Sequence, residues 1–259
     1  MFAAELVGGI AAPGAAAWGA VLAAPFVGSF LGVLIRRLPE DRTVVWARSQ
    51  CDSCGAVLGP RDLVPLLSWL ATRGRCRFCR RPVGCFYPAI ELAAVAVATV
   101  AIACDSGGMV WLDCVLGWWL LVLAWIDARH WLLPDALTLP LVLAGLAAAL
   151  AVDPDRLLDR ALGAALGYLA LRGVAFVYRA LRGRDGLGEG DAKLLAASGA
   201  WVGASGLPQV VLLAALAGLL AAACLRLAGV RLGAQSALPF GPFLALATWV
   251  VWLLPAMLG

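Results

Sequence analysis

Long apolar runs, interrupted by a few short charged stretches, decide what this chain can fold into. Each run is about 17–25 residues, the length a helix needs to cross the hydrocarbon of a bilayer. They fall near 17–35, 88–104, 109–126, 132–152, 157–178, 191–206, 208–225 and 238–257. An aqueous core cannot absorb this much apolar sequence. The 259 residues are 63% hydrophobic, against roughly 45–50% in ordinary soluble domains, and their mean hydropathy is +0.91. The sixth segment is the shortest and is rich in Gly, Ala and Ser, residues that let helices pack closely in lipid.

Met1 to Val21 lacks a positive start and runs straight into further apolar sequence, with Glu5 the only charge before Arg36. It reads as a retained first transmembrane helix, not a removed signal. With the N-terminus outside, the inside segments 36–87, 127–131, 179–193 and 226–236 hold 17 of the 20 Lys and Arg residues. The outside loop at 153–160 holds Arg156 and Arg160, and Arg172 lies within the fifth span. This asymmetry places Arg36 to Tyr87 in the cytoplasm. The net charge of +4 then serves insertion and contact with anionic lipid, and nucleic acid is not an expected partner. The expected fold is an all-α polytopic membrane protein of about eight transmembrane helices. A small cytoplasmic domain interrupts it between helices 1 and 2. The chain divides into a first helix (1–35), that domain (36–87) and a membrane domain (88–259).

The interruption carries Cys51-x2-Cys54 and, after 21 intervening residues, Cys76-x2-Cys79. Two such pairs can wrap one tetrahedral ion with four thiolates, as zinc prefers, leaving no open position for water. The stretch is too small for an apolar core of its own, so a structural metal staple is expected. A cytoplasmic location disfavours disulfides, and Arg73, Arg75, Arg77, Arg80 and Arg81 favour thiolates. Cys85, Cys104, Cys114 and Cys224 have no partner spacing and read as small apolar residues.

Carboxylates in membrane spans are costly and mark function by default. Asp127 ends the third span in AWIDARHWLLPD, where it opposes the helix dipole, so capping does not account for it. Asp191 opens the sixth span in GLGEGDAKLL, where an N-cap is the plainer reading. Taken together, both sit at the cytoplasmic mouth at similar depth. Facing carboxylates share a proton, and one can then activate water while the other protonates a peptide carbonyl. Gly186, Gly188 and Gly190 would let an extended backbone approach, and Lys193 would balance charge or sit at the interface. The single histidine, His130, reads as interfacial, and Asp135 as a helix start. A proton-coupled transporter and a non-catalytic scaffold are the other classes. Transporters place such acids at the midplane, often within repeats, and no repeat is visible here.

GLGEGDAKL contains GxGD, the signature of membrane-embedded aspartic peptidases. Together with GSFLGVLIRRLP, the Cys51 to Glu91 segment, WIDARHWLLPDALTLP and LPFGPFLA, it resembles the bacterial type IV prepilin peptidases from about Phe26 to Phe243. A presenilin-like protease shares GxGD but not the four-cysteine insert. The resemblance implies an inner-membrane enzyme that cuts basic leaders from prepilins and type II secretion pseudopilins after a glycine, with Asp127 and Asp191 as the catalytic pair. It also implies N-methylation of the new N-terminus from S-adenosylmethionine, an activity associated with the zinc domain. Glu91 stands where the family has a glutamate and is a candidate for holding the substrate amine or pairing with an arginine. Gly32 departs from the asparagine common after GSFL, which bears on methylation.

Overall fold

The computed structural model describes residues 14–44, 48–104, 109–183, 188–230 and 238–258. Among these, the secondary structure is helical apart from two isolated β-bridges. In chain order the helices are α1 (Ala15–Arg37), α2 (Leu67–Ala71), α3 (Phe86–Cys104), α4 (Val110–His130), α5 (Asp135–Val152), α6 (Leu157–Arg182), α7 (Glu189–Val202), α8 (Leu207–Leu227) and α9 (Gly241–Leu258). The chain forms two compact units, one reaching to Trp118 and the other spanning Trp119–Leu258. Every apolar run of the sequence becomes a helix. Six helices (α1, α3, α4, α5, α6 and α8) are long and apolar enough to cross a membrane, and the apolar Gly241–Pro255 is shorter.

The first unit is organised by α1 against α3. On α1 the buried positions Ala17, Ala20, Ala24, Leu31 and Ile35 form one stripe, and the exposed Trp18, Leu22, Phe26 and Phe30 recur every fourth residue on another. Residues three and four apart share a helix face, so one stripe meets protein and the other suits lipid. Its partner α3 offers a matching stripe of Ala94, Ala98 and Ala101. Small residues let two backbones approach. A Cβ on Gly28 would lie 2.6 Å from Glu91 Cα, so the α1–α3 crossing requires glycine there.

The second unit is built around α7. Its 14 residues span only about 21 Å at 1.5 Å per residue, short of the ~30 Å hydrocarbon core. Ala192 and then Leu194 to Trp201 are all buried, with α5, α6 and α9 packed around them. This is why the expected sixth span differs from the rest: protein surrounds it, whereas α6 and α8 leave most of their surface uncovered. The α6 contact is backbone on backbone. A Cβ on Gly199 would overlap the Gly163 carbonyl, and one on Gly163 would lie 2.7 Å from Ala204 N. Polar tethers fix the other neighbours. Trp201 Nε1 donates to Leu141 O of α5 at 3.0 Å, and the Ser198 and Thr248 hydroxyls meet at 2.6 Å between α7 and α9.

A methyl group added at Gly199 must push α6 away. Gly199→Ala should cost about 1–3 kcal/mol, the usual range for overpacking. Gly173 has nothing within 4 Å of its Cβ position, so Gly173→Ala should be neutral or slightly stabilising. Thermal unfolding in detergent compares the two, and equal midpoints would contradict the close α6–α7 contact.

Candidate active site and metal centre

The candidate metal centre, a cluster of four cysteines, lies in the first unit. The chain makes the same turn twice. In the first, Cys51 N donates to Ala56 O and Gly55 N to Cys51 O, both at 2.9 Å, beside the Gln50–Val57 bridge. In the second, Cys76 N donates to Arg81 O at 2.9 Å and Arg80 N to Cys76 O at 3.0 Å, beside the Arg75–Pro82 bridge. The fourth residue after the leading cysteine has a left-handed backbone in both, Gly55 at φ +70° and Arg80 at φ +61°. Glycine adopts this freely, whereas arginine pays for it. The turns bring the Sγ atoms of Cys51, Cys54, Cys76 and Cys79 within 4.8 Å of one another, with Cys51 and Cys79 at 3.9 Å. Four thiolates about 2.3 Å from a tetrahedral ion are about 3.8 Å apart, so the cluster fits a metal with little movement. Backbone N–H groups of Cys79 and Phe78 point at Cys76 and draw its thiol down from 9.0 to about 7, Phe78 N lying 3.4 Å from the sulfur. The amides, more than the expected arginines, prepare this ligand.

Glu91, in the second turn of α3, is 4% exposed. Its partner is a backbone amide, not an arginine: Leu66 N donates to Oε2 at 2.8 Å. The Ser29 hydroxyl of α1 is its other hydrogen-bond partner. Gly32, one turn beyond Gly28, lies under the Tyr87 ring, whose Cδ1 is 2.9 Å from where a Cβ would stand.

In the second unit Asp127 and Asp191 come within electrostatic reach of each other. Asp127 sits in the last turn of α4, 6% exposed, and accepts a hydrogen bond from Gly241 N at 2.9 Å. Gly241 opens α9, so a helix N-terminus faces the carboxylate. Asp191 is at the third position of α7, where Gly188 is the N-cap, and its carboxylate has the Gly188 N–H as partner. It reaches back to a cap amide from inside the first turn; the capping position itself belongs to Gly188. Both acids are therefore oriented by one glycine amide each, Asp191 from three residues away and Asp127 from 114 residues away.

The supporting residues divide. Gly188 has its Cβ position 3.3 Å from Asp191 Oδ2, and that of Gly190 is 2.8 Å from Leu133 Cβ, so both are hemmed by side chains. Gly186 lies outside the described residues. Lys193 Nζ donates to Asp135 Oδ1 at 2.7 Å, tying α7 to the first turn of α5, and His130 is exposed. Gly241 was not singled out from sequence, although LPFGPFLA was visible as a block. A contact across 114 residues leaves no local spacing to read.

Residues 22–104 match the family described as Bacterial Peptidase A24 N-terminal domain, and residues 114–223 the Type IV leader peptidase family. Proteins named prepilin leader peptidase/N-methyltransferase align over most of the chain. That of Burkholderia pseudomallei (strain 1026b) is 41% identical, covering 85% of this chain and 79% of its own. Those of Aeromonas hydrophila and Pseudomonas aeruginosa are 38% and 36% identical, covering 88% and 90% of this chain and 87% and 88% of theirs. The chain belongs to the prepilin leader peptidase/N-methyltransferase family. It is accordingly a multi-pass inner-membrane protein. No solved structure matches it.

Elemental analysis of the purified protein should find one metal ion per chain, and Cys76→Ser, which removes the most buried of the four thiols, should lose it. A full complement of metal in the variant would contradict the four-thiolate site.

Proposed function

We propose that this chain is a prepilin peptidase that also methylates its product, with Asp127 and Asp191 as the catalytic carboxylates. The single observation that carries the reading is the meeting of these two acids from different helices, each held by a glycine N–H. The substrates are prepilins and type II secretion pseudopilins, cut after a glycine at the end of a basic leader. The distribution of Lys and Arg supports an N-terminus outside, with the metal centre and carboxylates facing the cytoplasm.

The chemistry follows from the pair. One carboxylate takes a proton from water as its oxygen attacks the scissile carbonyl carbon, while the other gives its proton to the carbonyl oxygen. Collapse of the tetrahedral species breaks the C–N bond, and the departing amine takes a proton back. The pair titrates as a unit, and the amides of Gly241 and Gly188 fix the direction of each carboxylate without spending a side chain. Gly188 supplies the amide that holds Asp191, Gly190 lets the first turn of α7 pack closely on Leu133, and Lys193 supports the site by anchoring α7 to Asp135. Zinc is the ion that suits the four cysteines, in a structural role, because four thiolates leave no position for substrate. S-adenosylmethionine is the methyl donor that the second activity requires.

Mass spectrometry of a prepilin incubated with purified enzyme tests the reading. Loss of the leader mass is expected with the wild type and is abolished by Asp127→Asn and by Asp191→Asn, with both variants folded. Cleavage surviving either change sinks the assignment. Gly241→Ala is the finer probe. Its Cβ would stand 2.6 Å from Asp127 Oδ2, and misplacing a catalytic group by about 1 Å costs ~100-fold. A fall of that order in kcat with KM unchanged is expected. Gly218→Ala, whose Cβ meets only the Phe243 ring at 3.4 Å, should cleave normally.

A further inference from the structure

The second unit holds an open groove of about 840 Å³ whose purpose the two carboxylates do not explain by themselves. Leu166, Gly167 and Ala170 of α6 form one wall, Leu212 and Ala215 of α8 form the other, and Leu195 of α7 lies at the floor. Every residue that lines it is apolar. Its rims are open, with Leu166 52% and Leu212 59% exposed. Protein interiors normally close a space of this size. Here α6 packs on α7 and α8 packs on α9, and the groove runs between the two pairs.

The groove leads to the two acids. On α7, Asp191, Leu195 and Val202 recur at helical spacing and share one face. Ser198 on one side of that face meets Thr248 of α9 at 2.6 Å, and Gly199 on the other meets the backbone of α6. The face therefore lies along the seam between α9 and α6. Helix α6 runs antiparallel to α7 beside it. A Cβ on Gly163 would strike Gly199 O, one on Gly167 would strike Leu195 O, and Arg172 pairs with Glu189 at 3.4 Å. Ala170, between Gly167 and Arg172, brings the α6 wall level with the first turn of α7, where Asp191 stands. Asp127 is fixed at the same end by the first amide of α9.

In hydrocarbon a peptide satisfies its own backbone only as a helix, and helices approach closely where the facing residues are small, as Gly167, Ala170 and Ala215 are. A lipid tail needs neither small residues nor alignment with a catalytic pair. We propose that this groove seats an apolar helix of the substrate, the segment that directly follows the scissile bond. The proposal rests on the peptidase reading above and adds a register to it. At 1.5 Å per residue, Leu195 lies about 6 Å and Val202 about 16 Å along α7 from Asp191. A helix lying beside α7 with its cut bond at the acids places roughly its fourth to eleventh residues after the cut in the groove. Those at about 4, 8 and 11 face the floor. Substrate choice then depends on the fit of this segment as well as on the residues at the cut.

The test uses the full chain in detergent with a full-length prepilin. Leu166→Trp and Ala215→Trp each push a large ring into the groove, one from either wall. Leu220→Trp puts the same ring on an exposed part of α8 that does not line it. KM should rise about tenfold in the first two with kcat little changed, the mark of lost uniform binding, and Leu220→Trp should match the wild type. Wild-type KM in both groove variants would overturn the proposal and leave the groove to lipid. Photocoupling needs no change in the groove and decides the matter where a variant misfolds. A photoreactive residue about eight positions after the cut, presented to the cleavage-deficient Asp191→Asn enzyme, should couple to the groove residues of α6 or α8. Moved two positions along, to the far side of the substrate helix, it should not. Coupling to other helices alone would overturn the proposal. A wild type that leaves the prepilin uncut fails the peptidase reading instead, a result distinct from any variant outcome.

Discussion

The backbone contact between α6 and α7 is the constraint on which the second unit depends. A helix of 14 residues cannot satisfy a bilayer alone, and one that begins Glu189-Gly190-Asp191 cannot present its first turn to lipid. It must be enclosed by other helices. Enclosure needs close approach, and Gly163, Gly167 and Gly199 supply it: Cβ atoms at these positions would strike the backbone of the facing helix. Lipid tails are as apolar as leucine, so association cannot draw on a hydrophobic drive and relies on packing and interhelical hydrogen bonds. The Trp201–Leu141 and Ser198–Thr248 bonds add the directional part. The result is a short, rigid platform whose polar end is held at a fixed place.

That platform explains how two acids can be kept together. Each unpartnered carboxylate in a low-dielectric setting costs several kcal/mol, and two facing ones repel. The chain answers with neutral donors. Backbone amides stabilise a carboxylate without adding a counter-charge that would bind it permanently, so the pair stays available to a substrate. Lys193, two residues after Asp191, is turned to Asp135. Had it met Asp191, it would have fixed that carboxylate as an ion pair and removed its capacity to carry a proton.

Much of this was legible in the sequence, for identifiable reasons. Apolar runs located every helix except the five-residue α2, because the bilayer demands long apolar stretches. The two Cys-x2-Cys pairs announced a common site, because turn geometry and thiolate chemistry are local. Asp127 and Asp191 stood out because membrane carboxylates need a reason. What could not be read was tertiary. The apolar runs suggest about eight spans, and six helices among the described residues are long and apolar enough to cross; that α7, at 14 residues, is enclosed by helices distant in sequence is a tertiary fact. Gly241 was hidden because its partner lies in another helix. Glu91 was visible as an anomaly, yet its amide partner follows from the unusual backbone at Leu66 (φ +58°), which composition does not foretell.

Gly32 joins these threads. Asparagine there would have offered an amide near the C-terminal end of α1, and glycine in its place reads from sequence as a loss. The structure gives the glycine a packing partner. The Tyr87 ring lies where a side chain at 32 would begin, with Cδ1 and Cε1 at 2.9 and 3.0 Å and Ile90 Cγ2 at 3.3 Å from the Cβ position. Any larger residue must turn that ring, and the ring forms part of the wall of a cavity in the first unit and stacks with Arg36. Gly28 and Gly32 are one turn apart, so the small-residue seam that brings α1 against α3 at Glu91 continues upward to seat the ring over α1. In this chain the seam that closes the first unit and the surface that shapes its cavity are the same residues. A side chain at 32 would alter both together, and the two effects are separable only by measuring packing and ligand affinity on the same variant.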